Sequence, residues 1–323
     1  MNVFITRVIP EHITQDIIDQ GHEVKEWKEQ RVMTDEELIN HCKDSDAILC
    51  IGQKLGAKFL EECNHLKVVA TNSVGFDHID VAKATELGIP IGNTPNVLSK
   101  ATSDIAFLLM QNVARKAIFW HKEILNGNWD FLDPFKDLGI DLQGKTLGIF
   151  GLGRIGFDLA KSAKGAFDMP IIYHNRNKNE EAEAQLDAKY VSFDDLLAQS
   201  DVISVHANLN EENKGIFNSA AFEKMKPTSI FINTARGGLH NETDLLKALQ
   251  EGVIGGAGLD VTNPEPMDRN NPLLEMKNAV ILPHIGSATL ETRLAMVKLS
   301  VDNILAGLKG EPLPECINPE VYS

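Results

Sequence analysis

Short apolar runs alternate with amphipathic segments along most of the chain, and they form two separate series. In the first series the intervening segments have helical spacing, and Thr34 with Glu37 fits a capping box that opens one of them. Strands that alternate with helices predict a parallel sheet covered by helices on both faces. The predicted strands of this series are Asn2–Val8, His22–Trp27, Ala47–Ile51 and Leu66–Thr71.

A stretch of helical spacing, predicted as one helix from Ser99 to Leu125, leads into the second series. A final helix over Ala288–Leu308 is long enough to carry the chain back to the first sheet. The predicted strands of the second series are Thr146–Phe150, Pro170–His174, Val202–Val205, Ser229–Ile232, Gly255–Leu259 and Ala279–Leu282. We therefore expect an α/β protein with two doubly wound parallel-sheet domains, a flavodoxin-like one over residues 1–98 and 289–323 and a second over residues 99–288.

A glycine-rich turn directly follows the first strand of the second series. In such a turn Gly151 permits a sharp bend, Gly153 lets the backbone approach a pyrophosphate, and Gly156 lets the next helix pack close to the strand. The N–H groups of Arg154 and Ile155, where that helix begins, favour an anion. The motif predicts a Rossmann-type dinucleotide-binding domain, although glycines also cluster in turns that bind no ligand.

The end of the predicted strand Pro170–His174 indicates which dinucleotide binds. In an NAD site an acidic side chain at this point accepts hydrogen bonds from the ribose 2′-hydroxyl. Here Asn175 and Arg176 occupy the strand end, and the nearest carboxylate is Glu180. A guanidinium group suits a 2′-phosphate, so the sequence favours NADPH and leaves NADH possible. The alternative is that Arg176 is an ordinary surface arginine.

The amino-acid composition indicates which classes of ligand the protein is able to bind. The chain has 31 Lys and Arg residues against 46 Asp and Glu residues, a formal net charge of −15 that repels nucleic acid and anionic lipid. Four cysteines without CxxC spacing and the lack of a signal peptide favour reduced thiols and a cytoplasmic location. No apolar run reaches the roughly 18 residues of a membrane span. We expect a small-molecule substrate, no nucleic-acid or membrane partner and no metal site.

Polar residues follow the last three predicted strands, at the edge where open α/β sheets bind their ligands. The three stretches are Asn233-Thr-Ala-Arg-Gly-Gly238, Asp260-Val-Thr-Asn-Pro-Glu-Pro266 and Pro283-His-Ile-Gly-Ser287. Arg236, Glu265 and His284 would converge there. Each residue taken singly has an ordinary structural explanation, as a surface arginine, a turn glutamate or a core histidine.

At these residues the chain resembles the NAD(P)-dependent D-isomer-specific 2-hydroxyacid dehydrogenases, and within them the glyoxylate/hydroxypyruvate reductases. The resemblance covers nearly the whole length. The most specific stretches are Ser73–Asp80, Gly144–Gly156, Asn233–Gly237, Gly256–Val261 with Pro264–Pro266, and Pro283–Ala288. The resemblance implies an oxidoreductase that transfers a hydride from the nicotinamide to a small 2-keto acid, such as glyoxylate or hydroxypyruvate, to give the D-2-hydroxy acid.

The resemblance also implies which residues carry the reaction. It places the catalytic set on Arg236, Glu265 and His284, and the substrate carboxylate on the backbone of Val74 and Gly75 together with Arg236. Further cofactor contacts are expected at Asn175, His206, Thr234, Ala235, Asp260, His284 and Gly286.

The chemistry of keto-acid reduction agrees with these roles. The carbonyl carbon takes a hydride and its oxygen takes a proton, and His284 is the expected proton donor. A carboxylate beside the imidazole, as Glu265 would be, favours the protonated, donating form. Arg236 would hold the substrate carboxylate and polarise the carbonyl. Closure of the domains would complete the site and exclude water.

Some positions depart from the family pattern and leave alternatives open. His240 and Asn241 stand where relatives have an apolar residue and an acid, Asn208 replaces a frequent proline, and Leu132 stands where hydroxypyruvate reductases often have tryptophan. We expect a homodimer in which Leu132 reaches the partner's substrate. A dehydrogenase of another D-2-hydroxy acid, of the lactate, 2-ketogluconate or phosphoglycerate type, and a dinucleotide-sensing corepressor remain alternatives.

Overall fold

The structure, a computed structural model, describes residues 1–131 and 133–323. These residues form two compact units, one comprising residues 1–98 and 288–323 and the other comprising residues 99–287. The first unit is discontinuous in sequence, because the last helix belongs to it. Every pair of neighbouring named strands runs parallel, which confirms the prediction of two parallel-sheet α/β domains.

Twelve strands and twelve α-helices lie within the described residues. The strands are β1 (Asn2–Ile5), β2 (Glu23–Glu26), β3 (Ala47–Cys50), β4 (Val68–Thr71), β5 (Ile91–Gly92), β6 (Leu147–Phe150), β7 (Ile171–His174), β8 (Lys189–Tyr190), β9 (Val202–Val205), β10 (Ile230–Asn233), β11 (Gly256–Leu259) and β12 (Ala279–Ile281). The helices are α1 (Glu11–Asp19), α2 (Asp35–Cys42), α3 (Ala57–Glu62), α4 (Val81–Glu86), α5 (Ser99–Arg115), α6 (Ala117–Leu125), α7 (Arg154–Phe167), α8 (Glu180–Leu186), α9 (Phe193–Gln199), α10 (Ser219–Phe222), α11 (Glu242–Gln250) and α12 (Leu290–Lys309).

The first unit has a five-stranded sheet in the order β2-β1-β3-β4-β5. Successive side chains of β1 point to opposite faces, so Val3 and Ile5 pack with α1 and α12 while Phe4 packs with α2 and α3. The edge strand β5 was not predicted, because two residues are too short to show a periodicity. One of its backbone hydrogen bonds is with a segment near residue 317, because the Ile317 N–H donates to the Ile91 carbonyl at 2.8 Å.

The second unit has a seven-stranded sheet in the order β12-β11-β10-β9-β6-β7-β8. Six of these strands match predicted ones, and the two-residue exposed edge strand β8 was missed. The strand order reverses between β6 and β9, which is the point where sheets of this type bind ligands at the carboxyl ends of their strands. The core on the two faces of the sheet forms two apolar clusters.

The helix predicted from Ser99 to Leu125 is wrong in one respect, because it is two helices. The Ala114 carbonyl accepts a hydrogen bond from Ile140 N–H at 2.9 Å, and Lys116 has a left-handed backbone with φ of 53°. These two features end α5 and redirect the chain into α6. Among the described residues, no helix combines the length and the apolar character that crossing a bilayer requires.

Candidate active site

The glycine turn after β6 leaves room for an anion at the start of α7. Gly151 has φ of 92°, and a Cβ there would lie 2.5 Å from the Ala207 nitrogen. A Cβ at Gly153 would meet no atom within 4 Å, so that side of the turn is open. Gly153 supplies no side-chain cap, and within the described chain the N–H groups of Arg154 and Ile155 have no acceptor. Unpaired N–H groups at a helix start fit the pyrophosphate of a dinucleotide.

Side chains from the end of β7 hold the glycine turn. Asn175 Oδ1 accepts from Leu152 N–H at 2.6 Å, and its Nδ2 donates to the Leu152 carbonyl at 3.2 Å. Asn179 Nδ2 donates to the same carbonyl at 2.9 Å. The polar atoms of Asn175, expected to contact the cofactor, are therefore bonded to the turn itself. The neighbouring Arg176 is exposed and has no hydrogen bond or ion pair with any residue that the structure describes.

His206 lies against the same turn. Its Nε2 is 2.9 Å from Ser204 Oγ, and its Nδ1 is 3.5 Å from Thr234 Oγ1. A Cβ at Gly156 would lie 3.5 Å from the His206 ring, so the imidazole packs beside the start of α7. Burial lowers the pKa of His206 to about 3, which keeps the ring neutral near the anion site.

The three polar stretches lie at the carboxyl ends of the neighbouring strands β10, β11 and β12. His284 Nδ1 is 2.5 Å from Glu265 Oε1, and both side chains are nearly half exposed. Arg236 is close enough for its charge to act on Glu265. The structure thus brings together the three residues that the sequence predicted as a catalytic set, called the trio below.

Glu265 is held in its ionised form. Partial burial raises its pKa, but the hydrogen bond from His284, the His284 charge, the Thr262 N–H and the Arg236 charge together place that pKa below its usual value. An ionised carboxylate accepts the Nδ1–H of His284, which fixes the ring and leaves Nε2 as the nitrogen available to a substrate.

Asp260, at the end of β11, fixes the backbone beside His284. Its two carboxylate oxygens accept the N–H groups of Ile285 at 2.8 Å and Gly286 at 2.7 Å. His284 has a left-handed backbone with φ of 54°, which a residue other than glycine adopts at a cost that its surroundings must offset. Desolvation raises the pKa of the buried Asp260, and these two N–H groups partly offset that rise. Asp260, expected as a cofactor contact, bonds the loop that carries His284 and Gly286.

The turn that carries Arg236 rests on a residue that the sequence interpretation missed. The buried Asn233 accepts the Ala235 N–H at 2.9 Å and donates to the Arg236 carbonyl at 2.9 Å. An amide side chain at a strand end was visible in the sequence, but its inward direction was not. Gly237 follows, and a Cβ there would collide with the Thr262 carbonyl, so this turn packs tightly on the loop that carries Glu265.

The predicted carboxylate-binding residues Val74 and Gly75 belong to the other unit, in the loop after β4. Their carbonyls are occupied, because Asn93 Nδ2 donates to Val74 at 3.0 Å and Ser73 Oγ donates to Gly75 at 2.7 Å. No acceptor among the described residues bonds their N–H groups, which are free to bind an anion. Leu132, expected to reach the partner's substrate, lies outside the described residues.

Comparisons with known proteins show which protein family the chain resembles. Residues 107–286 match the family model described as D-isomer specific 2-hydroxyacid dehydrogenase, NAD binding domain. The chain is 42% identical to a glyoxylate reductase of Thermococcus litoralis over 99% of this chain and 98% of the relative. It is 39% identical to a human glyoxylate reductase/hydroxypyruvate reductase over 97% of each chain.

A solved structure agrees with these relatives. An NADPH-dependent glyoxylate/hydroxypyruvate reductase from Sinorhizobium meliloti, determined with NADP and malonate, matches with a TM-score of 0.85 and 29% identity over 99% of this chain and 97% of that one. The glycine turn, the trio at three strand ends and the full-length similarity lead to one conclusion. The chain belongs to the D-isomer-specific 2-hydroxyacid dehydrogenase family, whose members are NAD(P)-dependent oxidoreductases.

Proposed function

We propose that this protein reduces glyoxylate and hydroxypyruvate to the corresponding D-2-hydroxy acids with NADPH. The observation that carries the proposal is the bond between His284 and Glu265, placed beside Arg236 at the ends of β10 to β12. The named activities of the Thermococcus, human and Sinorhizobium relatives support this choice of substrate.

The trio provides the groups that keto-acid reduction needs. When bound, the dinucleotide supplies the hydride. His284 Nε2 donates the proton to the substrate oxygen, while Glu265 accepts the Nδ1–H and fixes the ring. The Arg236 guanidinium binds the substrate carboxylate by paired, charge-assisted hydrogen bonds. The free N–H groups of Val74 and Gly75 are the second proposed carboxylate contact, and this assignment stays a prediction.

The described residues fit a dinucleotide with a 2′-phosphate. The open Gly153 side and the unpaired N–H groups of Arg154 and Ile155 would hold the pyrophosphate. Arg176, exposed and without a partner in the described chain, would bind the 2′-phosphate.

Arg176→Asp should raise the KM for NADPH by about tenfold or more and the KM for NADH much less, since one charged hydrogen-bonding group is lost. A lower KM for NADH than for NADPH in the unmodified protein would contradict the cofactor assignment.

The direct test is the loss of absorbance at 340 nm when the protein is mixed with NADPH and a panel of 2-keto acids. We expect the highest kcat/KM with glyoxylate and hydroxypyruvate. A higher value with pyruvate or a larger keto acid would move the protein to another branch of the family. Tight NADPH binding without turnover of any acid would favour a sensing role.

We also propose that the protein is a cytoplasmic homodimer. The arm, defined as residues 117–131 and 133–138, exposes large apolar side chains, with Trp129 69%, Phe131 77% and Phe135 83% exposed. Apolar exposure on this scale is typical of a surface covered by a partner, and a two-fold axis would place one arm against the other. The four cysteines, all free, suit a reducing compartment.

A further inference from the structure

A buried histidine lies behind the turn that carries Arg236 and takes no part in the chemistry described above. His240 is 2% exposed, and its Nδ1 is 3.0 Å from Nδ2 of the fully buried Asn233. Asn233 in turn donates from the same Nδ2 to the Arg236 carbonyl at 2.9 Å. Two buried side chains therefore form a short chain of hydrogen bonds that ends on the backbone of a trio residue.

The backbone fixes the direction of each bond in this chain. Asn233 Oδ1 accepts from Ala235 N–H, and its Nδ2 donates to the Arg236 carbonyl. If the amide were turned over, its NH2 group would face the Ala235 N–H and its oxygen would face the Arg236 carbonyl. Donor would then face donor and acceptor would face acceptor, so the amide has one allowed orientation. His240 Nδ1 must then accept the second N–H of Asn233, and the ring proton lies on Nε2.

The other ring nitrogen of His240, Nε2, is left without a hydrogen-bond partner among the described residues in this arrangement, which is unfavourable for a buried group. Burial also lowers the pKa of His240 to about 4, which keeps the ring neutral and Nδ1 able to accept. An apolar side chain of similar size would avoid the unpaired N–H. The feature that an apolar side chain could not supply is the acceptor at Nδ1.

We propose that His240 is a positioning residue for substrate binding, acting through Asn233 on the Arg236 turn. Without the acceptor, one N–H of the buried Asn233 amide loses its partner. The same Nδ2 also holds the Arg236 carbonyl, so any rotation of the amide toward another partner breaks that bond and loosens the turn that aims the guanidinium. The inference rests on the proposed role of Arg236 in holding the substrate carboxylate.

The test compares substitutions that keep an acceptor with matched ones that remove it. Gln and Thr can accept a hydrogen bond through a side-chain oxygen. Leu is similar in size to Gln, and Val is similar in size to Thr, but neither Leu nor Val can accept. His240→Leu and His240→Val should raise the KM for glyoxylate about tenfold, as expected when a buried hydrogen bond is lost, with the NADPH dissociation constant within about twofold. His240→Gln and His240→Thr should stay within about threefold of the unmodified protein in KM.

Two pairs keep the comparison available if one variant fails to fold, and thermal unfolding identifies such a variant. Unchanged KM in the Leu and Val variants would overturn the proposal. Equal impairment in all four would also overturn it, because that result indicates a packing role. Calorimetric titration with malonate, a small dicarboxylate, should give the same contrast in dissociation constant. If the unmodified protein reduced no 2-keto acid, the proposed function would fall, and this titration would still decide the role of His240.

Discussion

The trio and the arm belong to the same unit but are built in opposite ways. At the trio, the residues around the reactive side chains are bonded from within the unit, through Asn233 beneath Arg236 and Asp260 beside His284. In the arm, helix α6 buries no residue, and the segment after it exposes Trp129 and Phe135. One region is completed by its own chain, and the other has apolar surface that its own chain does not cover.

This difference separates two kinds of contribution to function. A side chain that is oriented by buried hydrogen bonds can perform chemistry at a defined position in each subunit. A surface that exposes large apolar side chains contributes by binding something else. Substitutions at the trio should therefore change the rate of reduction, and substitutions in the arm should change assembly and substrate choice.

The largest effect is expected at the proposed proton donor. His284→Ala removes the imidazole proposed to protonate the substrate oxygen, so kcat should fall by about 10² to 10⁴, the range for loss of general acid catalysis. NADPH binding, followed by its fluorescence, should be nearly unchanged because the proposed role of the imidazole is on the substrate. A drop in NADPH affinity as large as the drop in kcat would instead give His284 a binding role.

Glu265→Gln should lower the rate of reduction, and the size of the loss should depend on pH. Partial burial raises the pKa of Glu265, but the hydrogen bond from His284 and the nearby charges place it below its usual value, so the carboxylate is charged near pH 7. A glutamine oxygen can still accept the Nδ1–H of His284 but carries no charge, so the rate at pH 7 should fall about tenfold. The loss should shrink as the pH falls through the lowered pKa of Glu265, because the carboxyl group of the unmodified protein then becomes neutral as well.

A matched control for this variant is Glu275→Gln, which makes the same chemical change at an exposed position outside the trio. The control should keep the pH profile of the unmodified protein. An unchanged rate at pH 7 in Glu265→Gln would remove Glu265 from the role of holding the His284 ring.

Much of the trio was predictable from the sequence because parallel strands end at a common edge. Once β10, β11 and β12 were recognised as consecutive strands, the residues that follow them had to lie near one another. The glycine turn was predictable for a similar reason, since Gly151 and Gly156 meet steric limits that are set by local backbone geometry.

The features that could not be predicted depend on contacts between distant parts of the chain. Helical spacing continues through Lys116, and the helix ends there because of the hydrogen bond from Ile140 to Ala114 and the left-handed backbone of Lys116. The inward direction of Asn233 and its bond to His240 depend on how the turn folds over the end of β10. A periodicity carries no information about either contact.

A change in the arm should alter assembly more than chemistry. The double variant Trp129→Glu and Phe135→Glu places two charges on the exposed apolar surface, which opposes burial against a second copy. We expect monomers at concentrations where the unmodified protein is dimeric, measured by light scattering. Activity should fall less than in Glu265→Gln, because the trio lies outside the arm. Val8→Glu, at a position 59% exposed in the other unit, is the control that should remain dimeric. A monomeric unmodified protein with full activity would exclude the dimer.

The smallest effect is expected for substrate choice at Leu132, between Phe131 and Asp133 in sequence. Leucine is smaller than tryptophan and cannot donate an indole hydrogen bond, so it should discriminate weakly against an apolar group on the keto acid. Leu132→Trp should raise the kcat/KM ratio of hydroxypyruvate to larger apolar keto acids by about tenfold or less, since side-chain size in a pocket discriminates modestly. The ratio of KM values for NADPH and NADH should stay the same, because the proposed contact with the 2′-phosphate is Arg176. An unchanged substrate ratio would show that Leu132 takes no part in substrate choice, and a changed cofactor ratio would show that it also acts on cofactor binding.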